Sequence, residues 1–230
     1  MLTSAGRTSV CWAGRRVVEE GLVAGSAGNI SLRVRDGVVV TPGGARLDRL
    51  VENDCPVLEV DGRVVLGLRE PSSETPMHLA IYRETDAGAI VHTHSSACVA
   101  VSAVLDELPP IHYYTLKLGG IIRVAEYATY GTPELARNVV AALEGGRRAA
   151  LMANHGAVAL GDDLDGAIQN ALLLEWLCEV YLRARAIGEP RVLTDAQLGE
   201  AMERFAGPGY VRPRGPAVAR FVGPDDAPPA

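Results

Sequence analysis

The residues best able to do chemistry fall in two short stretches, Glu70-Pro71-Ser72-Ser73-Glu74-Thr75-Pro76-Met77-His78 and Ile90-Val91-His92-Thr93-His94. The second is an apolar run ending in two histidines at i and i+2. Alternation along a strand sends both imidazoles to one face, the arrangement a metal needs from two ligands close in sequence. Burying two neutral imidazoles side by side also requires partners for four ring nitrogens. His155, in Asn154-His155-Gly156 at the end of another short apolar run, is a third candidate. Three imidazoles with an open position are the pattern of a catalytic zinc, whereas structural zinc favours closed, cysteine-rich sets. Cys11, Cys55, Cys98 and Cys178 are scattered, with no Cys-x-x-Cys spacing. His78 lies one helical turn after Glu74, where it either orients that carboxylate or packs, and it is left out of the ligand set.

Glu74 has two readings. A glutamate in the first turn of a helix is favoured by the helix dipole alone. Ser72 and Ser73 immediately before the same helix start suggest more, because hydroxyls and backbone N–H groups at a helix N-terminus form an anion site whose usual occupant is phosphate. Two further small-residue loops, Gly28-Asn29 and Gly43-Gly44, would add backbone donors if they converge there. Lys117 is the only lysine. A Schiff-base mechanism therefore has a single candidate, and it sits in no obvious apolar pocket.

The elements that must position these groups follow from periodicity and turn chemistry. A helix is predicted from about Ser9 to Glu20, then hairpin strands Ile30–Val34 and Val38–Thr41 about Asp36-Gly37. A short helix at 46–50 and a second hairpin, 57–60 and 64–66, follow. Ser73 is the expected cap of a helix running to about Arg83, with Pro76 tolerated in its first turn. A strand over 89–94, a helix over 95–104 and an extended, aromatic-tipped connection over 108–114 come next. The remaining predictions are strands at 121–124, 149–152 and 157–160 and helices at 132–143, 164–187 and 195–205, with Thr132-Pro133 starting the first of these helices. Residues 1–210 read as one α/β domain with a substantially antiparallel sheet, and 211–230 as a Pro/Gly-rich tail, partly disordered.

Composition narrows the function classes. A chain of 230 residues with 48% hydrophobic and 22% charged content is long enough to bury a core without staples. The net charge of −6, with no basic cluster larger than a pair, argues against a nucleic-acid partner. No apolar run approaches a membrane span, and no signal peptide is visible at Met1–Arg7. With unpaired cysteine spacing, these features lead to the expectation of a cytoplasmic protein with reduced thiols.

The order of motifs resembles the class II aldolase/adducin family. The resemblance runs from about residue 10 to 210 and is carried by Gly25-Ser-Ala-Gly-Asn-Ile-Ser31, Thr41-Pro-Gly-Gly44, Pro71-Ser-Ser-Glu74, His92-Thr-His94, Ile111-His-Tyr113, Tyr127-Ala-Thr-Tyr-Gly131 and Asn154-His-Gly156. Within the family it is most like the members acting on L-fuculose 1-phosphate.

The resemblance implies a three-layer α/β fold, a central, mainly antiparallel sheet flanked by helices, assembled as a homotetramer with sites at subunit interfaces. It implies His92, His94 and His155 as ligands of a zinc ion, or of Mn2+, Co2+ or Mg2+ in its place. Glu74 would be a fourth ligand at rest and the catalytic acid or base once substrate displaces it. Gly28, Asn29, Gly43, Gly44, Ser72 and Ser73 would hold a phosphate, and Tyr113 would reach a neighbouring subunit's site. The implied reaction is reversible cleavage of a ketose 1-phosphate, L-fuculose 1-phosphate or a related deoxyketose phosphate, to dihydroxyacetone phosphate and a small aldehyde.

This chain departs from the family pattern at three places. Gly43 replaces a threonine of the phosphate loop, Tyr130 replaces a phenylalanine, and a longer segment separates Phe205 from Tyr210. The resemblance assigns Tyr130 and Tyr210 to the aldehyde side, and the longer segment before Tyr210 is a departure that counts against its place there. Other family chemistry stays open: a methylthioribulose-phosphate dehydratase would keep the same histidines and glutamate, and a pentulose-phosphate 4-epimerase would carry an acid where this chain has His112-Tyr113-Tyr114. Adducin-like binding modules lack the metal set.

Overall fold

The computed structural model describes residues 2–206. In chain order the elements are α1 (Leu2–Glu19), β1 (Asn29–Val34), β2 (Gly37–Val40), β3 (Val57–Leu58), β4 (Val64–Leu66), α2 (Thr75–Glu84), β5 (Ala89–Thr93), α3 (Ser96–Ser102), β6 (Glu107–Leu108), β7 (Ile122–Ala125), α4 (Pro133–Leu143), β8 (Ala149–Met152), β9 (Gly156–Gly161), α5 (Leu164–Ile187) and α6 (Asp195–Ala206). The strands form one sheet in the order β4-β3-β2-β1-β5-β9-β8-β7-β6. Every neighbouring pair is antiparallel except β7 with β8. The expected mainly antiparallel sheet flanked by helices is what forms.

Alternation along the central strands divides the core into two layers. Ala89 and Val91 of β5, Leu151 of β8 and Ala157 and Ala159 of β9 face the layer of α1, α3 and α5. Ile90, Met152, Val158 and Leu160 face the opposite layer, of α2 and α4. Because these strands are covered on both faces, their sequences read as nearly continuous apolar runs rather than clean alternation. His92, two residues after Ile90, falls on the α2 side.

Some local expectations shift. The first helix starts at Leu2 rather than near Ser9. Its two extra turns are held by Gly6 packed close to Val34 and Val39 and by Ser4 and Thr8 donating to Glu52, contacts that leave no hydrophobic period. The cap of α2 is Glu74, not Ser73. Its own side chain makes no capping bond; the Ser72 hydroxyl accepts from the Glu74 N–H at 3.3 Å instead. The 108–114 connection starts on the last residue of the short strand β6 and leads into a 3₁₀ segment, Tyr113–Leu118, ended by Gly119 in the left-handed region. The long helix α5 has the predicted bounds, with Asp163 accepting from the Gly166 N–H at its start. Tyr210 and the predicted tail lie outside the described residues.

Close backbone approach explains one motif glycine. A Cβ at Gly156 would collide with the Thr93 carbonyl oxygen of the adjacent strand. Gly156→Ala is expected to lower stability by about 1–3 kcal/mol, the usual cost of overpacking, read as a lower urea midpoint at unchanged m-value.

Candidate active site and metal centre

Three separate pieces of local structure deliver the site. The β1–β5 register pairs Asn29 with His92, so both side chains emerge on the α2 face. The three-residue connection between β8 and β9 carries His155, and Asn154 before it takes the left-handed conformation (φ 54°), which asparagine adopts more readily than most residues. The N-terminus of α2 lowers Glu74 onto all of them. Gly28 has to be glycine here: its φ is +79°, and a Cβ would stand 2.7 Å from the His92 carbonyl oxygen.

Glu74, His92, His94 and His155 converge, with potential ligand atoms all within 4.8 Å of one another. His92 Nε2 lies 3.0 Å from His94 Nε2 and 3.0 Å from Glu74 Oε2. Glu74 Oε1 is 3.3 Å from His155 Nε2 and is buried without a hydrogen-bond partner. The His92 Nδ1–H donates to the Ala157 carbonyl at 2.9 Å, so Nε2 is the nitrogen turned toward the other ligands. Lone pairs and a carboxylate facing one another within hydrogen-bond distance call for a cation at their centre. Ligands about 2.0–2.1 Å from a tetrahedral zinc would stand about 3.3 Å apart, close to the spacings here. The group fits a divalent metal.

Electrostatics follow from burial. Burial pushes the pKa of Glu74 up, but the facing His92 and His155 and the Asn29 amide outweigh it and hold the carboxyl well below its usual range. Burial lowers His94 to about 4, helped by the neighbouring His92 and His155. It lowers His78, fully enclosed beside this group, to about 3, and His155 moves the same way.

Beside the metal group is a cavity of about 380 Å³ that brings together Gly28, Asn29, Gly43, Gly44, Ser72, Ser73, Glu74, Tyr130, His94 and His155. His92 is its buried backing, with no exposure. The Asn29 amide is already engaged, donating from Nδ2 to Glu74 Oε2 at 2.9 Å. The Gly43 N–H donates to the Glu70 carbonyl at 3.1 Å, and the Ser72 hydroxyl accepts from Glu74. Ser73 and Gly44, both exposed, face the cavity with fewer commitments. Tyr113 is not among the lining residues: it stacks on His112 and approaches Phe205, and is 42% exposed. Ser26, Ala27, Tyr127 and Asn154 also line the cavity. Ser26, Ala27 and Asn154 are loop residues with no titratable group and give no chemical signal in the sequence, and Tyr127 and Asn154 are marked there only by standing inside motifs. Lys117 lies outside the cavity, with its ammonium 4.2 Å from the Tyr114 ring centroid.

Residues 8–182 match the family model described as Class II Aldolase and Adducin N-terminal domain. The chain belongs to the class II aldolase/adducin family. It is 40% identical over 195 residues to the 5-methylthioribulose-1-phosphate/5-deoxyribulose-1-phosphate aldolase of Rhodospirillum rubrum, covering 84% of this chain and 87% of the relative. To the 5-deoxy-D-ribulose 1-phosphate aldolase of Bacillus thuringiensis it is 36% identical over 214 residues, covering 91% and 99%. A solved structure of L-fuculose 1-phosphate aldolase superposes with a TM-score of 0.84 at 37% identity, covering 88% of this chain and 97% of that one. As a class II aldolase the protein is a carbon–carbon lyase. Among the described residues, no helix is long and apolar enough to cross a membrane.

The buried imidazoles predict a pH dependence for metal-free protein. His78 and His94 have folded pKa values below the ordinary 6.5. Between 6.5 and about 4 the unfolded chain therefore binds protons that the folded one does not, and stability falls as pH falls. Above 6.5 these two groups contribute no slope. Urea midpoints of chelator-treated protein should be flat from pH 8 to 7 and decline from about 6.5 to 4.

Proposed function

We propose that this protein is a zinc-dependent aldolase that reversibly cleaves a ketose 1-phosphate to dihydroxyacetone phosphate and a small aldehyde. The observation carrying this reading is the convergence of Glu74 and three imidazoles on the wall of a cavity rimmed by a helix N-terminus. The substrate class is L-fuculose 1-phosphate or a related deoxyketose phosphate; the names of the relatives favour a 5-deoxypentulose phosphate, whose cleavage releases acetaldehyde.

A phosphate fits the rim formed by Ser72, Ser73, Gly28, Asn29, Gly43 and Gly44. The N-terminal dipole of α2 favours an anion there, and Ser73 and Gly44 are the least committed donors. Anchored at that end, the ketose extends toward the histidines, with its aldehyde-forming end toward Tyr130.

Cleavage of the C3–C4 bond leaves its electron pair on the dihydroxyacetone phosphate half as an enediolate, and C3 then takes up a proton. The divalent metal held by His92, His94, His155 and Glu74 would supply the Lewis acidity that stabilises the negative oxygen. Zinc suits this imidazole-rich set, and Mn2+, Co2+ and Mg2+ are its candidate replacements. Glu74 is the proton carrier. Its carboxylate borders the cavity, and the buried Oε1, which lacks a hydrogen-bond partner, is the oxygen free to exchange a proton with C3. The sole lysine lies outside the cavity, so no amine there can form the iminium of the alternative aldolase mechanism.

Tyr113 completes the proposal from a neighbouring subunit. It is exposed and away from the cavity of its own chain, as expected of a group that exchanges a proton with the aldehyde oxygen across an interface in a homotetramer. Tyr130 and Tyr210 are assigned to the aldehyde side. The chain from 1 to 210 is proposed to act as one catalytic domain in the cytoplasm, with 211–230 as a tail.

Glu74→Gln should keep bound metal and lose aldol cleavage by roughly 10²-fold or more, the scale of general acid–base catalysis. Near-normal turnover in that variant would remove the role assigned to Glu74. Incubating the enzyme with dihydroxyacetone phosphate and acetaldehyde, lactaldehyde or glycolaldehyde should yield a ketose phosphate, and the preferred aldehyde names the substrate. Non-phosphorylated dihydroxyacetone should react poorly; equal kcat/KM for both forms would contradict the phosphate rim. Absence of stoichiometric divalent metal from purified protein would favour a binding module instead.

A further inference from the structure

Glu74, His78 and Tyr82 occupy i, i+4 and i+8 of α2, including its cap, and therefore lie along one face of the helix. Asn29, Ser31 and Arg33 occupy i, i+2 and i+4 of β1. Four helical residues rise about 6 Å and two strand residues about 6.6 Å, so the two rows stay in step. The outcome is a continuous buried chain of polar contacts. Asn29 Nδ2 is 2.9 Å from Glu74 Oε2, His78 Nε2 is 2.5 Å from Asn29 Oδ1, Ser31 Oγ is 2.7 Å from His78 Nδ1, and Tyr82 Oη is 2.9 Å from Ser31 Oγ. Ser31 and His78 have no exposure, and Tyr82 is 2% exposed.

The donors in this chain can be assigned from its charged end. A carboxylate only accepts, so Asn29 must turn its NH₂ to Glu74 and its carbonyl oxygen to His78. That oxygen only accepts, so His78 must carry its proton on Nε2. Neutral His78 then accepts at Nδ1, Ser31 donates to it, and Tyr82 donates to Ser31. Every hydrogen bond points toward Glu74. Arg33 anchors the far end, 4.7 Å above the Tyr82 ring centroid and bonded to the Tyr82 carbonyl at 2.6 Å.

We propose that His78 is a positioning residue for Glu74, acting through Asn29, with Ser31 and Tyr82 holding its ring from the other side. The chain locks the Asn29 amide against rotation and pins Glu74 Oε2, leaving Oε1 as the oxygen that moves the proton. This rests on the reading of Glu74 as proton carrier.

The test is a double-mutant cycle on metal-loaded enzyme with kcat, KM, metal content and Tm measured throughout. His78→Leu should lower kcat about 10–100-fold, the usual effect of removing an outer-shell partner, at full metal occupancy and with KM changed less than about twofold. His78→Gln, which keeps an N–H donor near the place of Nε2, should restore most of the loss. In an Asn29→Ala background His78→Leu should cost little more, because the path through Asn29 is already cut. Equal losses in both backgrounds, or a loss that follows metal content or Tm, would overturn the proposal. An activity-independent arm is the long-range ¹⁵N–¹H spectrum of the imidazoles. His78 should appear as the Nε2–H tautomer, and an Nδ1–H tautomer would overturn the assignment. If the wild-type enzyme cleaves no ketose phosphate, the functional reading falls, while the spectrum still decides the hydrogen-bond order.

Discussion

Burying the Glu74 carboxylate is the constraint that the rest of the site satisfies. An isolated buried carboxylate is far too costly to persist in charged form, so it must be met by donors or by a cation. Here one oxygen accepts from Asn29 and the other faces His155 without a hydrogen bond of its own. The three imidazoles therefore do two jobs. Their nitrogens and the carboxylate are placed to hold a divalent metal, and the charge of such a cation would make a buried Glu74 tolerable.

That requirement reaches back into the sheet. Asn29 can meet Glu74 only because β1 and β5 pair in the register that sets it opposite His92. A slip of one residue would turn Asn29 and Ser31 to the α1 and α5 layer and bring Ile30 to the α2 face. His92 is in turn fixed by its bond to the Ala157 carbonyl of β9. The same strands whose apolar residues hold the two cores apart thus also hold the ligand geometry.

The rim of the cavity obeys different physics. Ser73, Gly44 and Tyr130 are on loops and exposed, so their contribution is local charge and hydrogen bonding rather than packing. The protein carries a net charge of −6, and an anionic substrate needs a positive field close at hand. The N-terminus of α2 and a cation held by the histidines would provide it within one cavity. In the proposed reading, substrate identity would be set further out, around Tyr130 and the groups that another subunit would bring.

The sequence alone determined the chemistry of the centre. His92-Thr93-His94 at the end of a buried strand, Glu74 after two serines, and His155 before a glycine carry their meaning in local spacing, and local spacing survives folding. It also determined the strand and helix order, because caps, hairpin turns and periodicity act over a few residues. Only the tertiary structure decided what depends on distant partners. It moved the α2 cap from Ser73 to Glu74, and it committed the Asn29 amide to Glu74 and His78. It set Tyr113 apart from the cavity of its own chain. His78 shows the reason most plainly: its spacing from Glu74 left two roles open, and the choice was made by Asn29 and Ser31, residues 49 and 47 positions away along the chain.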